Sequence, residues 1–161
     1  MPFIPVRDLP DPVLSAEDVG RVEEREFRHP LNPNARRLTR ALGDAVGLSR
    51  IGVHLVRVEP GDDTTELHAH AVEEEFVYVL SGRARLTLGD EERILEAGAF
   101  AGFAVGHPPH AMTALGPEPL VYLLAGTREA IDLCHYPRRG RWLIVTPEAE
   151  RLVAEDDLRD V

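Results

Sequence analysis

The sequence predicts an all-β fold, an antiparallel sandwich or barrel, on the strength of two observations. Short apolar runs follow one another from about residue 50 to residue 126, and glycine-containing or charged turns separate them. No helical periodicity interrupts this stretch, which disfavours a parallel α/β sheet because such a sheet needs crossover helices.

The chain before residue 50 has a different character. Residues 1–33 are rich in proline, which central strands exclude, so we expect an extended arm with short edge strands. Residues 32–47 carry apolar side chains at the spacing of one helix face: Leu38, Ala41, Leu42 and Ala45. We therefore predict one short amphipathic helix here, capped by Asn32 or Asn34 and ended by Gly47.

The predicted strands occupy the middle of the chain. They are residues 51–58, 76–82, 83–89, 91–98, 99–105, 110–115 and 120–126. Beyond them, residues 127–141 look irregular, residues 142–146 form a further strand, and the acidic tail from Pro147 is a short helix or a frayed end. Because no linker is visible, we expect one domain over residues 1–161, with the arm and helix in 1–49, the barrel core in 50–126 and a C-terminal extension in 127–161.

Composition excludes several kinds of chemistry. All 18 basic residues are arginine, so a lysine Schiff base and a P-loop lysine are excluded. The single cysteine, Cys134, excludes an internal disulfide and a cysteine-based metal cluster. A net charge of −10 argues against nucleic acid or an anionic membrane as a partner. Since neither a membrane-length apolar run nor a signal-peptide pattern is present, we expect a cytoplasmic protein.

One segment concentrates the residue types that remain. His68 and His70 are two residues apart, so on a strand both imidazoles project from the same face. Glu75 opens the next predicted strand, and a hairpin would return its carboxylate toward the same point. Imidazoles and a carboxylate suit a divalent metal such as Fe, Mn, Ni or Zn, which this sequence does not distinguish.

A fourth ligand is expected from a later strand. His110 begins the strand-like run 110–115, whereas His107 lies in the Gly-Pro turn before it. Metal ligands work best from rigid elements, so we favour His110 and expect His107 at the mouth of the pocket.

These residues resemble the two sequence motifs of the cupin superfamily. The spacing from His68 through Glu75 to Gly82 fits the first motif. Gly98, Gly106 and His110 fit a degraded second motif, in which Ala104 and Ala114 replace the usual proline and asparagine. The resemblance covers about residues 50–126 and implies a jelly-roll β-barrel with one divalent metal held by His68, His70, Glu75 and His110. The end of the chain also resembles small bacterial cupins labelled as candidate sugar-phosphate isomerases.

Such a site leaves three functions open. A redox-inert metal acts as a Lewis acid in an isomerase or epimerase of a sugar or sugar phosphate. Fe(II) supports a dioxygenase instead, and a non-catalytic barrel binds or senses a small ligand. An isomerase also needs a general base, and the candidates are His54, His107 and Glu66. An anionic substrate could be clamped by Arg57, Arg83 or Arg85, although strand arginines are more commonly solvated.

We expect few partners beyond a small molecule. No DNA-binding helix-turn-helix is visible in the sequence. The arm in residues 1–33 is predicted to add strands across the barrel edge of a second copy, which makes the protein a homodimer.

Overall fold

The computed structural model describes residues 9–159 of the chain. These residues contain two α-helices, α1 (Ala16–Arg21) and α2 (Leu42–Ala45). They also contain thirteen strands: β1 (Arg25–Arg28), β2 (Arg36–Ala41), β3 (Ile51–Val58), β4 (Ala69–His70), β5 (Glu75–Ser81), β6 (Arg83–Leu88), β7 (Glu91–Glu96), β8 (Phe100–Phe103), β9 (His110–Leu115), β10 (Leu120–Thr127), β11 (Asp132–Tyr136), β12 (Arg141–Val145) and β13 (Glu150–Ala154). The all-β prediction is confirmed.

The strands form three antiparallel sheets. The largest has the order β1-β2-β3-β10-β5-β8, a second has the order β13-β12-β11-β4, and the third has the order β7-β6-β9. Alternate positions of these strands pack inward around a buried apolar core that includes Val56, Val79 and Tyr122. In the described part of the chain, neither helix has the length or hydropathy needed to cross a membrane.

The helix predicted over residues 32–47 is wrong for most of its length. Arg36–Ala41 form strand β2, and only Leu42–Ala45 turn into a helix. β2 lies between β1 and β3 and pairs with both, so sheet hydrogen bonds on two sides override the helical spacing of its apolar residues. A second helix, α1, lies in the arm, where Ser15 and Asp18 form a capping box that the proline-based interpretation overlooked.

The C-terminal predictions also need correction. The segment interpreted as irregular contains β11, and the tail from Pro147 contains β13 followed by a short 3₁₀ turn at Glu155–Asp157. Both strands are stabilised by β12, which pairs with β11 on one side and β13 on the other. The predicted strand exchange rests partly on residues 1–8, which lie outside the described residues. It therefore stays a prediction, although β1 is an edge strand of the largest sheet.

Candidate metal centre

Four side chains converge on one point inside the fold: His68 just before β4, His70 within β4, Glu75 at the start of β5 and His110 at the start of β9. The carboxylate oxygen Oε1 of Glu75 lies 2.8 Å from Nε2 of His110 and 3.2 Å from Nε2 of His68. The same oxygen lies 3.6 Å from Nε2 of His70. These are the four residues that the sequence resemblance brings together, and all four line one cavity of about 380 Å³.

The backbone explains this convergence. His68 and His110 form an antiparallel bridge, in which each amide donates to the other's carbonyl at 3.2 Å and 2.8 Å. Two residues later His70 pairs with Cys134 of β11, which keeps its ring on the same side. Glu75 starts β5 opposite Gly126 of β10. A Cβ atom at Gly126 would lie 3.1 Å from the Glu75 Cβ, so glycine allows the two strands to approach closely here.

Hydrogen bonds on the far side of two rings set their orientation. Nδ1 of His68 lies 2.9 Å from the carbonyl oxygen of Glu66, and Nδ1 of His70 lies 2.5 Å from Oδ2 of Asp132. In each ring Nδ1 donates its hydrogen to an acceptor on the far side, so Nε2 is the nitrogen that faces the centre. The His110 ring is stacked on Phe103 with a centroid distance of 3.6 Å.

The electrostatics of the centre favour an ionised carboxylate. Burial alone would raise the pKa of Glu75, but hydrogen bonds with His110, His68 and His70 lower it well below its ordinary value. Burial alone would also lower the pKa of His70, but hydrogen bonds with Glu75 and Asp132 raise it to about 9. For His110 burial dominates and lowers the pKa. At neutral pH the centre therefore pairs an ionised Glu75 carboxylate with a protonated His70 ring.

The three catalytic candidates lie in different places. His107 lines a narrow pocket of about 10 Å³ beside His70 and His110, and its Nδ1 accepts a hydrogen bond from the Ala104 amide at 3.1 Å. Glu66 is buried, and its Oε2 accepts hydrogen bonds from Nη2 and Nε of Arg139 at 2.8 Å and 3.0 Å.

His54, the third candidate, lies away from the centre. It lines another cavity, of about 610 Å³, which shares Phe27 and Arg37 with the cavity of the histidine cluster. Burial lowers its pKa, and its Nδ1 is buried without a hydrogen-bond partner among the described residues.

The three candidate anion clamps are engaged elsewhere. Arg57 contacts Glu24 at 3.1 Å and also Glu59. Arg83 faces Glu96 at 3.2 Å and Arg85 faces Glu92 at 3.6 Å, both as exposed pairs on neighbouring strands. None of the three arginines lines the cavity of the histidine cluster.

Sequence reasoning missed most of the cavity wall. Asp132, Cys134 and Tyr136 of β11 line it, and so do His29 and Arg37 from the segment interpreted as arm and helix. One signal was available, because residues 132, 134 and 136 alternate and share one buried strand face. The arm residues carry no comparable signal, since strand pairing alone brings them to the cavity.

Comparisons with known proteins match this geometry. Residues 54–126 match the family described as the Cupin domain. A solved structure described as a candidate sugar phosphate isomerase, from Acidithiobacillus ferrooxidans, is 38% identical with a TM-score of 0.89 and covers 92% of this chain and 96% of that one. The chain belongs to the cupin superfamily. Its fold is accordingly the cupin-type jelly roll.

Two further relatives are similar to this cupin at lower sequence identity. A structure described as a sugar phosphate isomerase from a cupin superfamily, from Silicibacter pomeroyi, is 29% identical with a TM-score of 0.81, covering 89% of this chain and 95% of that one. Oxalate decarboxylase OxdC from Bacillus subtilis is 35% identical over 100 residues, which are 58% of this chain and 24% of that protein. This cupin spans about a quarter of the length of the curated relatives that it matches.

Proposed function

We propose that this cupin binds one divalent metal ion through His68, His70, Glu75 and His110 and isomerises or epimerises a small oxygen-rich substrate. A sugar or a sugar phosphate is the class we favour. The observation that carries the proposal is the convergence of three imidazole nitrogens and one carboxylate oxygen on the wall of a cavity of about 380 Å³.

The residues present fit a metal by their donor chemistry. Imidazole and carboxylate ligands suit Fe, Mn, Ni and Zn, and the outward hydrogen bonds from His68 and His70 hold the rings in the tautomer that binds metal. When bound, such an ion would polarise a substrate carbonyl and acidify the neighbouring C–H group, as isomerisation requires.

The remaining wall suits binding and orienting a small polar molecule. Burial raises the pKa of Cys134 to about 12 and raises the pKa of Tyr136, so both groups keep their hydrogen at neutral pH. Tyr136 can therefore serve as a hydrogen-bond donor to a substrate oxygen. Apolar residues such as Val77, Phe103 and Leu143 complete the wall and exclude water around the reacting carbon.

The proposal is tested with the protein as purified and a panel of aldoses, ketoses and their phosphates in D₂O. We expect proton NMR to show exchange of the C2 hydrogen of at least one substrate, together with the isomeric product. A Glu75→Gln variant should lose both signals. Oxygen consumption without exchange would point to a dioxygenase, and substrate binding without either reaction would point to a binding module; both outcomes contradict the isomerase proposal.

A further inference from the structure

Among residues 9–159, a single guanidinium, that of Arg37, lines the cavity of the metal centre. Arg37 lies on β2 opposite Phe27 of β1, and two residues along the same strand Thr39 pairs with the core residue Val56 of β3. Because directly paired residues and residues two apart share one face, the Arg37 side chain leaves the strand toward the interior. An arginine side chain that points inward needs polar or charged partners, because removing its charge from water is costly.

The contacts of Arg37 leave most of its hydrogen-bonding capacity unused. Its guanidinium lies over the Phe27 ring, 4.5 Å from the ring centroid, and its Nη1 donates to the Thr64 carbonyl at 3.2 Å. Within residues 9–159 it forms no ion pair. The neighbouring Arg36 points to the opposite face and pairs with Glu26 at 3.0 Å. A guanidinium has five N–H groups in a fork that matches phosphate and carboxylate oxygens.

The cavity has a second hydrogen-bond donor. His29 is buried and lines the same cavity, and its Nδ1 accepts a hydrogen bond from the Leu31 amide at 3.1 Å. The hydrogen of the neutral ring is therefore on Nε2. The His29 ring centroid is 6.0 Å from that of Phe27 and 5.2 Å from that of Tyr136. The Tyr136 ring in turn lies 6.2 Å from the His68 ring, and Arg37, His29 and the histidine cluster all line the same cavity of about 380 Å³.

We propose that Arg37 and His29 form an oxyanion subsite that binds a phosphate or carboxylate group of the substrate, while other oxygen atoms of the same molecule reach the histidine cluster. The subsite implies that the substrate is an anion. Assigning the bound anion to a substrate rests on the proposed function above. Three of the four carboxylates lining the cavity, Glu73, Glu75 and Asp132, belong to or adjoin the histidine cluster. The fourth, Glu150, is exposed at the rim and opposes anion binding.

The test measures binding of inorganic phosphate and of acetate by isothermal titration calorimetry, using wild type, Arg37→Gln and Arg36→Gln. We expect Arg37→Gln to weaken binding of at least one of the two anions by roughly 10-fold or more, as for loss of a charge-assisted hydrogen bond, and Arg36→Gln to bind both like wild type. The anion with the larger loss identifies the class. Glu150→Gln should bind the same anion more tightly.

The proposal is overturned if the wild type binds neither anion, or if Arg37→Gln binds both as tightly as Arg36→Gln does. Metal content, measured on the same preparations, separates this outcome from a failure of the proposed function. Arg37-dependent anion binding in a protein without metal supports the subsite and refutes the metalloenzyme. Full metal content with anion binding that ignores Arg37 refutes the subsite alone.

Discussion

Asp132 contacts the His70 ring on the side that faces away from the candidate metal centre. Its Oδ2 accepts a hydrogen bond from Nδ1 of His70 at 2.5 Å, while its Oδ1 accepts from the amides of Val72 and Glu73 at 3.0 Å and 3.2 Å. The buried carboxylate therefore orients one ring of the candidate metal centre and also fixes the turn that leads to Glu75.

We expect Asp132→Asn to weaken metal binding by about 10- to 100-fold, because the neutral amide is a poorer acceptor for the His70 ring. The asparagine can still accept from the two backbone amides, so the melting temperature should stay close to that of the wild type. Competition with a chromogenic chelator measures the affinity. Asp90→Asn, at an exposed turn, is the matched control. Equal affinities in the two variants would show that Asp132 does not position a ligand.

His110 and His107 are expected to differ in their effect on metal content. His110 contacts Glu75 at 2.8 Å, whereas His107 accepts a hydrogen bond from a backbone amide three residues earlier. We expect His110→Ala to lose most of the bound metal and His107→Ala to keep it, as measured by plasma emission spectrometry. Equal retention in both variants would refute the assignment of His110.

Gly82 is expected to be irreplaceable for packing as well as for backbone conformation. Its φ is +76°, and a Cβ atom there would lie 2.4 Å from the carbonyl oxygen of Pro119. Gly98 has a φ of +89° with nothing within 4 Å. We expect Gly98→Ala to cost about 1 kcal/mol of unfolding free energy and Gly82→Ala at least about 3 kcal/mol. Urea denaturation checks this, and similar losses would contradict it.

His29 is expected to make the protein less stable as the pH falls. Burial lowers its pKa in the folded state to about 4, against 6.5 for the free side chain. Between these values the unfolded chain binds a proton that the folded chain does not, so stability decreases as the pH falls from about 6.5 to 4. Over this pH range the free energy of unfolding of His29→Gln should fall by roughly 1 to 3 kcal/mol less than that of the wild type, as measured by urea denaturation. If the unfolding free energies of the wild type and of His29→Gln fell equally with pH, the result would contradict a buried, neutral His29 ring.

The central strands and the four clustered side chains were predictable because their signals are local. Alternating apolar residues predict β3, β6 and β9 closely, and the spacing of His68, His70 and Glu75 follows from strand and hairpin geometry. Strand β2 was not predictable, since its pairing with β1 and β3 overrides a helical spacing. Arg37 reaches the cavity through pairing with strands distant in sequence, which no local pattern encodes. For Asp132 the alternation of residues 132, 134 and 136 was the one local signal.

The central claim is that His68, His70, Glu75 and His110 hold one divalent metal ion. Its most direct test is metal analysis of protein purified without added metal, comparing wild type with His68→Ala, Glu75→Ala and His135→Ala. His135 serves as the control because its ring stacks on Trp142, outside the cluster. We predict about one metal ion per chain in the wild type and in His135→Ala, with most of it lost in the other two. A wild type without metal, or His68→Ala and Glu75→Ala proteins with full occupancy, would contradict the account.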